Sequence, residues 1–352
     1  MKSRTKNHLT DEKIRELLRI HFGSACEADT IEELEGGMFN AIYRIGRKRE
    51  KDRIILKVGV VPGTPLLTYE QDVMPTEVEC YRLIRQETGV PVPEILACDF
   101  SKKYIASNYF FMTELTGQPL SEVMRKMDGE NLKKIRRELA GYLEQIHRIH
   151  GSYFGYFTED PGRRYGTWRE AFFAMFAQIL DDAREHGVRL PYHRIENVLK
   201  EKAYCLDALR EPSLVEYDCH EGNIFVKRSE DGAGEYVIEG IIDFERAWWG
   251  DPLADFPAAF VLTDDIRKEK DFLDSYLEAS GRRAFTEEDA VRCQMYRMYL
   301  MVIMASETFR YSFPYSALQG FWAKAQVRKC LKYLETGKEY PEGKKRPESE
   351  GK

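Results

Sequence analysis

Apolar residues recur at helical spacing over Ile14, Leu17, Leu18 and Phe22, with Thr10 ahead of them as a cap and Gly23 as a stop. That pattern predicts a first helix. The period then changes. Ile31 to Ile45 and Arg53 to Val60 read as strands, separated by the charged turn Arg47 to Asp52. Pro75 and Thr76 open a second helix carrying Val78, Tyr81, Leu83 and Ile84, and Gly89 ends it. Val90-Pro91-Val92-Pro93 must be extended, because proline restricts both itself and the residue before it. Two apolar strands follow, Glu94 to Phe100 and Tyr109 to Leu115.

From Pro119 the pattern turns helical over Leu132 to His147, Trp168 to His186 and Pro191 to Leu209. A strand-like island interrupts it at Leu214-Val215, Ile224 to Val226 and Tyr236 to Ile242, before helices resume at Asp251 to Leu262, Thr286 to Ser306 and Tyr315 to Glu335. Strands first and helices later predict an α+β chain of two lobes, residues 1–115 and 116–336. The expected hinge is Glu114 to Gln118, next to Gly117 and Pro119. Residues 337–352 are rich in Lys, Glu, Gly and Pro and read as a disordered tail.

Composition narrows the class. A chain of 352 residues exceeds what one compact core usually holds, which agrees with two lobes. The formal net charge of −6 argues against a nucleic-acid partner. Seven scattered cysteines, never in a C-x-x-C pair, predict neither a disulfide framework nor a zinc site, and fit a reducing cytoplasm. No apolar stretch is long enough to span a membrane, so a soluble, cytoplasmic protein is expected.

The candidate chemistry centres on Glu216-Tyr217-Asp218-Cys219-His220-Glu221-Gly222-Asn223, which runs into the strand Ile224-Phe225-Val226. An aspartate, four residues and an asparagine form the arrangement of a kinase catalytic loop: one carboxylate faces the acceptor hydroxyl and one amide oxygen faces a metal ion. Gly222 gives the backbone freedom for the curl. A surface Asx turn would have the same spacing. Twenty positions after Asn223, the strand Ile238 to Ile242 delivers Asp243, where a second oxygen ligand for Mg²⁺ is expected; a strand-end cap is the alternative. Upstream, Ile54-Ile55-Leu56-Lys57 supplies a strand lysine for nucleotide phosphates, with Glu77 as its helix partner and Glu79 as the competitor. Ahead of it, Glu35-Gly36-Gly37-Met38-Phe39-Asn40 joins two strands and could cover phosphates with backbone amides, or be a plain hairpin turn.

This ordered set resembles the aminoglycoside phosphotransferase/choline kinase-like family of the protein-kinase-like superfamily. It comprises Gly-Gly-x-x-Asn, the strand lysine, the helix glutamate, "VPVPEIL", "FMTELTGQPL", the D-x4-N loop and "IIDFERAWWGDPLADF", spread over about residues 30 to 260. The resemblance implies a protein-kinase-like fold with a small antiparallel-sheet N-lobe, a mostly helical C-lobe, and ATP (or GTP) with Mg²⁺ as cofactors. It implies that Gly36, Gly37 and Asn40 lie over the nucleotide and that Lys57, oriented by Glu77, meets its phosphates. The backbone of Glu114 and Leu115 would meet the adenine edge, Asp218 would be the catalytic base, and Asn223 and Asp243 would bind the metal. Asp251 and Asp255 read as structural, Asp251 as a cap ahead of Pro252. Many relatives carry His-Gly-Asp where this chain has Glu216-Tyr217-Asp218, so a carboxylate beside Asp218 could raise its pKa. Glu245 stands where a protein kinase has the glycine of Asp-Phe-Gly, which counts against a protein kinase. His220 reads as a loop histidine satisfied by backbone, with substrate contact as the alternative.

The implied activity is transfer of the γ-phosphate to a hydroxyl of a small molecule, an aminoglycoside-like antibiotic or an amino-alcohol or sugar metabolite. A nucleotide-binding pseudoenzyme acting through a protein partner is the rival reading. Glu159, Asp160, Asp181, Asp182 and Glu185 would suit a cationic acceptor or form a solvated face. Tyr153, Tyr156, Trp168, Phe172 and Phe173 would floor a pocket or fill the core.

Overall fold

The computed structural model describes residues 5–34, 39–48, 53–71, 73–229 and 234–337. Gly36, Gly37 and the tail beyond Gly337 lie outside them. The chain begins with α1 (Asp11–Phe22), capped as predicted: Thr10 accepts from the Lys13 amide, and Gly23 closes the helix at φ 81°. Strands β1 (Ala28–Glu33), β2 (Ala41–Arg47) and β3 (Ile54–Val58) follow, then α2 (Val73–Glu87), β4 (Ile95–Asp99) and β5 (Tyr109–Thr113). The five strands form one antiparallel sheet in the order β1-β2-β3-β5-β4. α2 starts two residues before Pro75, which a proline in the first turn permits because its missing N–H has no partner there anyway.

Alternation along β3 decides what the site receives. Ile54, Leu56 and Val58 pack with Ile14, Leu17 and Leu18 of α1, while Ile55 packs with Met74, Val78 and Tyr81 of α2. Lys57 shares the face of Ile55 and therefore points at α2.

The rest of the chain is mostly helical. In order come β6 (Gln118–Pro119), α3 (Leu120–Val123), α4 (Gly129–His147), β7 (Gly155–Tyr156), α5 (Trp168–Glu185), α6 (Tyr192–Lys202), β8 (Ser213–Val215), β9 (Ile224–Arg228) and β10 (Tyr236–Ile241). Then follow β11 (Trp248–Gly250), α7 (Asp255–Ala259), α8 (Lys270–Ala279), α9 (Glu287–Ser306) and α10 (Tyr315–Thr336). α9 is buried around most of its circumference, the property of a central helix in an α-rich lobe. Its Tyr296 and Tyr299 pack with Trp168, Phe172, Phe176 and Trp248 in one aromatic core. Trp168 and Phe172 are thus core residues, the second of the two readings their spacing allowed.

The expected strand island divides into two sheets. β9 pairs with β10 and with the short β6, while β8 pairs with β11, which also pairs with β7. The β9–β10 hairpin sets Asn223 before its first strand and Asp243 after its second, and the Ile242 amide donates to the Asn223 carbonyl at 3.0 Å. Together the strand-rich and helix-rich parts make a two-lobed, protein-kinase-like α+β fold. Among the described residues no helix is long and apolar enough to cross a membrane.

Candidate active site

Lys57 is buried, with its ammonium 2.7 Å from Glu77 Oε2, 2.6 Å from Asp243 Oδ1 and 3.3 Å from Glu245 Oε2. Glu77 is the helix partner, while Glu79, two residues along α2, is exposed. The second Glu77 oxygen accepts from the Tyr81 hydroxyl at 3.1 Å, and that hydroxyl accepts from the Asp243 amide at 3.0 Å. One tyrosine therefore ties the helix carboxylate to the backbone of Asp243. Asp243 itself adopts the left-handed conformation at φ 74°, which aspartate tolerates better than most residues. Asn40 donates to Glu245 Oε2 at 2.9 Å and so joins the same cluster.

These charges set one another. Burial disfavours the Lys57 ammonium, yet Asp243, Glu77 and Glu245 outweigh it and hold its pKa well above the usual value. Burial raises Asp243, but Lys57 and Arg246 more than offset it and the carboxyl ends below its usual range. Glu77 is pushed up to about 8 by burial, against the pull of Lys57. Burial, with Asp243 next, pushes Glu245 up to about 7.

The loop from Glu216 to Asn223 enters from below. Tyr217 takes the left-handed φ of 61°. Three anchors hold it there: its ring lies 4.0 Å from that of Trp248, its hydroxyl donates to the Tyr296 carbonyl at 2.7 Å, and its amide donates to Asp255 Oδ1 at 2.6 Å. Asp255 is in turn held by His147 Nε2 at 2.8 Å, and His147 Nδ1 meets the Tyr276 hydroxyl. Asp251 accepts from the Leu253 amide at 3.0 Å ahead of Pro252, the capping role expected of it, and also accepts from Tyr296.

Asp218 is largely buried, and Arg246 Nε lies 3.7 Å from its Oδ2. Its backbone carbonyl accepts from the His220 amide at 2.7 Å and from Asn223 Nδ2 at 2.9 Å. The Asn223 amide nitrogen is thereby engaged, and among the described residues its side-chain oxygen has no hydrogen-bond donor. His220 Nδ1 accepts from the Gly222 amide at 2.9 Å, so backbone satisfies one ring nitrogen, while the residue also lines the same cavity as Asp218. A Cβ at Gly222 would meet the His220 ring at 2.6 Å, which is why glycine stands there. Burial pushes the Asp218 carboxyl up to about 7, with Arg246 opposing and Asp243 and Glu307 assisting. Glu216 does not rank among these causes; it is fully buried, and burial followed by Asp255 holds its own pKa well above the usual range.

Lys57, Asp218, Asn223, Asp243, Asn40 and Glu245 all line one cavity of about 550 Å³. Glu77 sits behind Lys57 and does not face it. Glu114 and Leu115 are not among its lining residues: the Glu114 carboxylate bridges Arg44 at 2.5 Å and Arg53 at 2.7 Å, and Leu115 packs over Gly240. The following Gly117 donates its amide to Glu239 Oε2, and a Cβ there would come within 2.4 Å of the Val226 carbonyl. Four further charged groups were not singled out from sequence. Arg246 lies between Asp218 and Glu307, and Glu70 forms a double ion pair with Arg310 at 2.6 and 2.7 Å. Arg246 follows Asp243 closely enough to suspect, whereas Glu70, Glu307 and Arg310 carry no motif. None of Glu159, Asp160, Asp181, Asp182 and Glu185 lines the cavity, and Asp182 instead accepts from the amide and hydroxyl of Thr68.

Residues 30–292 match the model of the phosphotransferase enzyme family. A thermostable mutant of the aminoglycoside phosphotransferase APH(4)-Ia, in a ternary complex with AMP-PNP and hygromycin B, superposes with a TM-score of 0.61 at 16% identity, covering 93% of this chain and 100% of its own. A structure from Haemophilus somnus 129PT assigned to a fructosamine-3-kinase gives 0.60 at 14% identity, covering 90% and 97%. The streptomycin–ATP complex of APH(2")-IIa gives 0.59 at 13% identity, covering 91% and 97%. No curated protein matches in sequence. With the family model spanning the sheet, the catalytic-type loop and Asp243, the chain belongs to the phosphotransferase enzyme family.

Proposed function

We propose that the chain moves the γ-phosphate of ATP to a hydroxyl of a small molecule, with residues 1–115 and 116–336 as the two lobes. The observation that carries this is the convergence of Lys57, Asp218, Asn223 and Asp243, from three separate segments, on one cavity. Lys57 supplies a compact cation for the phosphates and is held in place by Glu77. Asn40 lies over the nucleotide, with GTP admissible in the same place.

The donor chemistry fits Mg²⁺. The free Asn223 oxygen and the Asp243 carboxylate are hard oxygen ligands on one cavity wall, and Asp243 keeps its negative charge. Cavity carboxylates also outnumber its ammonium and guanidinium groups, so a polyphosphate would meet net negative charge without an added cation. Bound there, the metal neutralises phosphate charge and orients the transferring group.

Asp218 accepts the proton of the acceptor hydroxyl at its carboxylate as the hydroxyl oxygen bonds to the γ-phosphorus and the bond to the β-phosphate oxygen breaks. Arg246 beside it fixes the carboxylate and limits its rise in pKa. The joint presence of these four residues disfavours the pseudoenzyme reading. Seven free thiols suit a reducing cytoplasm, where ATP is supplied. ADP release from Mg–ATP, measured against aminoglycosides, choline, ethanolamine and sugar amines, tests the activity. Acceptor-dependent release supports it, and failure of both ATP and GTP to bind overturns it.

A further inference from the structure

Beyond the nucleotide residues, the cavity runs into a wall of Ala258, Val261, Leu300, Met304, Tyr311 and Tyr315. This wall is aliphatic and aromatic. It also continues outside the cavity. Leu262, 80% exposed, follows Val261, and Phe313, 82% exposed, lies between Tyr311 and Tyr315. Leu318 and Phe321 follow Tyr315 at steps of three along α10, so they neighbour one another on its surface, and they are 69% and 73% exposed. Large apolar side chains exposed in the same segments that line the cavity mark a surface that something covers.

On this side the carboxylates outnumber their two arginine partners. Glu70 is held by both guanidinium nitrogens of Arg310, Glu307 by Gln319 at 2.8 Å and by Arg246 at 3.4 Å, and Asp218 faces Arg246. Among the cavity's described carboxylates beyond the Lys57 cluster, Glu221 alone has no ion pair.

We propose that the acceptor is amphipathic: a hydroxyl-bearing polar end that reaches Asp218 and an apolar body of ring or chain carbon on the Val261–Tyr315 wall. This rests on the phosphotransfer reading above. Its occupant is the substrate, because the apolar rim continues directly into the cavity that ends at Asp218.

The test is fluorescence titration of the full chain with the neutral apolar probe N-phenyl-1-naphthylamine, with Mg–ATP binding measured in the same samples. Saturable binding is expected, weakened by about tenfold in Val261→Glu and severalfold in Leu318→Lys/Phe321→Lys. The double variant changes only exposed positions and decides the matter if Val261→Glu does not fold. Octyl glucoside below its micellar concentration should displace the probe, while methyl glucoside, hygromycin B and streptomycin should not. The inference is overturned by unchanged affinity in the folded variants, by displacement with hygromycin B or streptomycin, or by probe binding that falls as the chain dimerises, which would assign the rim to a second copy. Loss of Mg–ATP binding would instead sink the phosphotransfer reading.

Discussion

Lys57→Met removes the one cation among Glu77, Asp243 and Glu245 while keeping the side chain's length and apolar stem. Because Lys57 lies within 3.3 Å of all three carboxylates, its loss raises each of their pKa values. The sign of the pH effect follows from linkage. A carboxyl whose pKa is higher in the fold than in the unfolded chain retains a proton that the unfolded chain has lost, so stability falls as pH rises between the two values. The native protein already has this slope from Glu77, pushed up to about 8, and Glu245, pushed up to about 7. Each further proton retained in Lys57→Met steepens the fall by about 1.4 kcal/mol per pH unit. The stability gap between variant and native chain should therefore open above about pH 4, as Asp243 keeps a proton that it loses in the native fold, and widen by a further ~3–5 kcal/mol between about pH 6 and about pH 8. Urea denaturation in EDTA at several pH values measures it. Oxygens of the three carboxylates lie within 4.8 Å of one another, so millimolar Mg²⁺ should restore part of the loss in the variant. A stability gap that stays constant or narrows from pH 6 to pH 8 would refute the electrostatic account of this cluster.

Other expectations concern the loop and the hinge. Asp218 must be ionised to take a proton and its pKa lies at about 7, so kcat/KM for the acceptor should fall as pH drops below about 7; a flat pH–rate profile across that range contradicts the base assignment. Tyr217→Gly relieves a left-handed backbone but removes a buried ring and its hydrogen bond, and chemical denaturation should show a net loss of about 2–4 kcal/mol. Gly117→Ala sets a Cβ 2.4 Å from the Val226 carbonyl, and the same measurement should show a loss of about 1–3 kcal/mol.

The sequence carried the elements whose signals are local. Period and caps located α1, β3, β5 and α4, and the D-x4-N spacing with the strand leading to Asp243 marked the loop and hairpin that meet at the cavity. Helical geometry put Glu77 and Glu79 on different faces, and the ion pair at 2.7 Å identifies Glu77 as the partner of Lys57. The short strands β6, β7 and β11 and the helix α8 were missed: two- and three-residue strands have no period to detect, and Lys270–Ala279 follows a polar stretch without a strong cap. Glu216 looked, by adjacency, like the group that perturbs Asp218. Burial proves to be the main cause, with Asp243 and Glu307 assisting, while Glu216 is fully buried in the core and Asp218 lines the cavity. Glu70, Glu307 and Arg310 reach the cavity from segments separated by the whole length of the fold, and only tertiary packing brings them together. The acidic residues of α5, which composition made attractive for an acceptor, lie away from the cavity altogether.

The central claim is that Asp218 takes the acceptor proton while Lys57, Asn223 and Asp243 serve the nucleotide. Turnover and Mg–nucleotide affinity of Asp218→Asn, measured side by side with the native chain on an acceptor that supports ADP release, test it most directly. The account predicts a loss of about 10²–10⁴-fold in kcat with nucleotide affinity retained. Turnover equal to that of the native chain would contradict it.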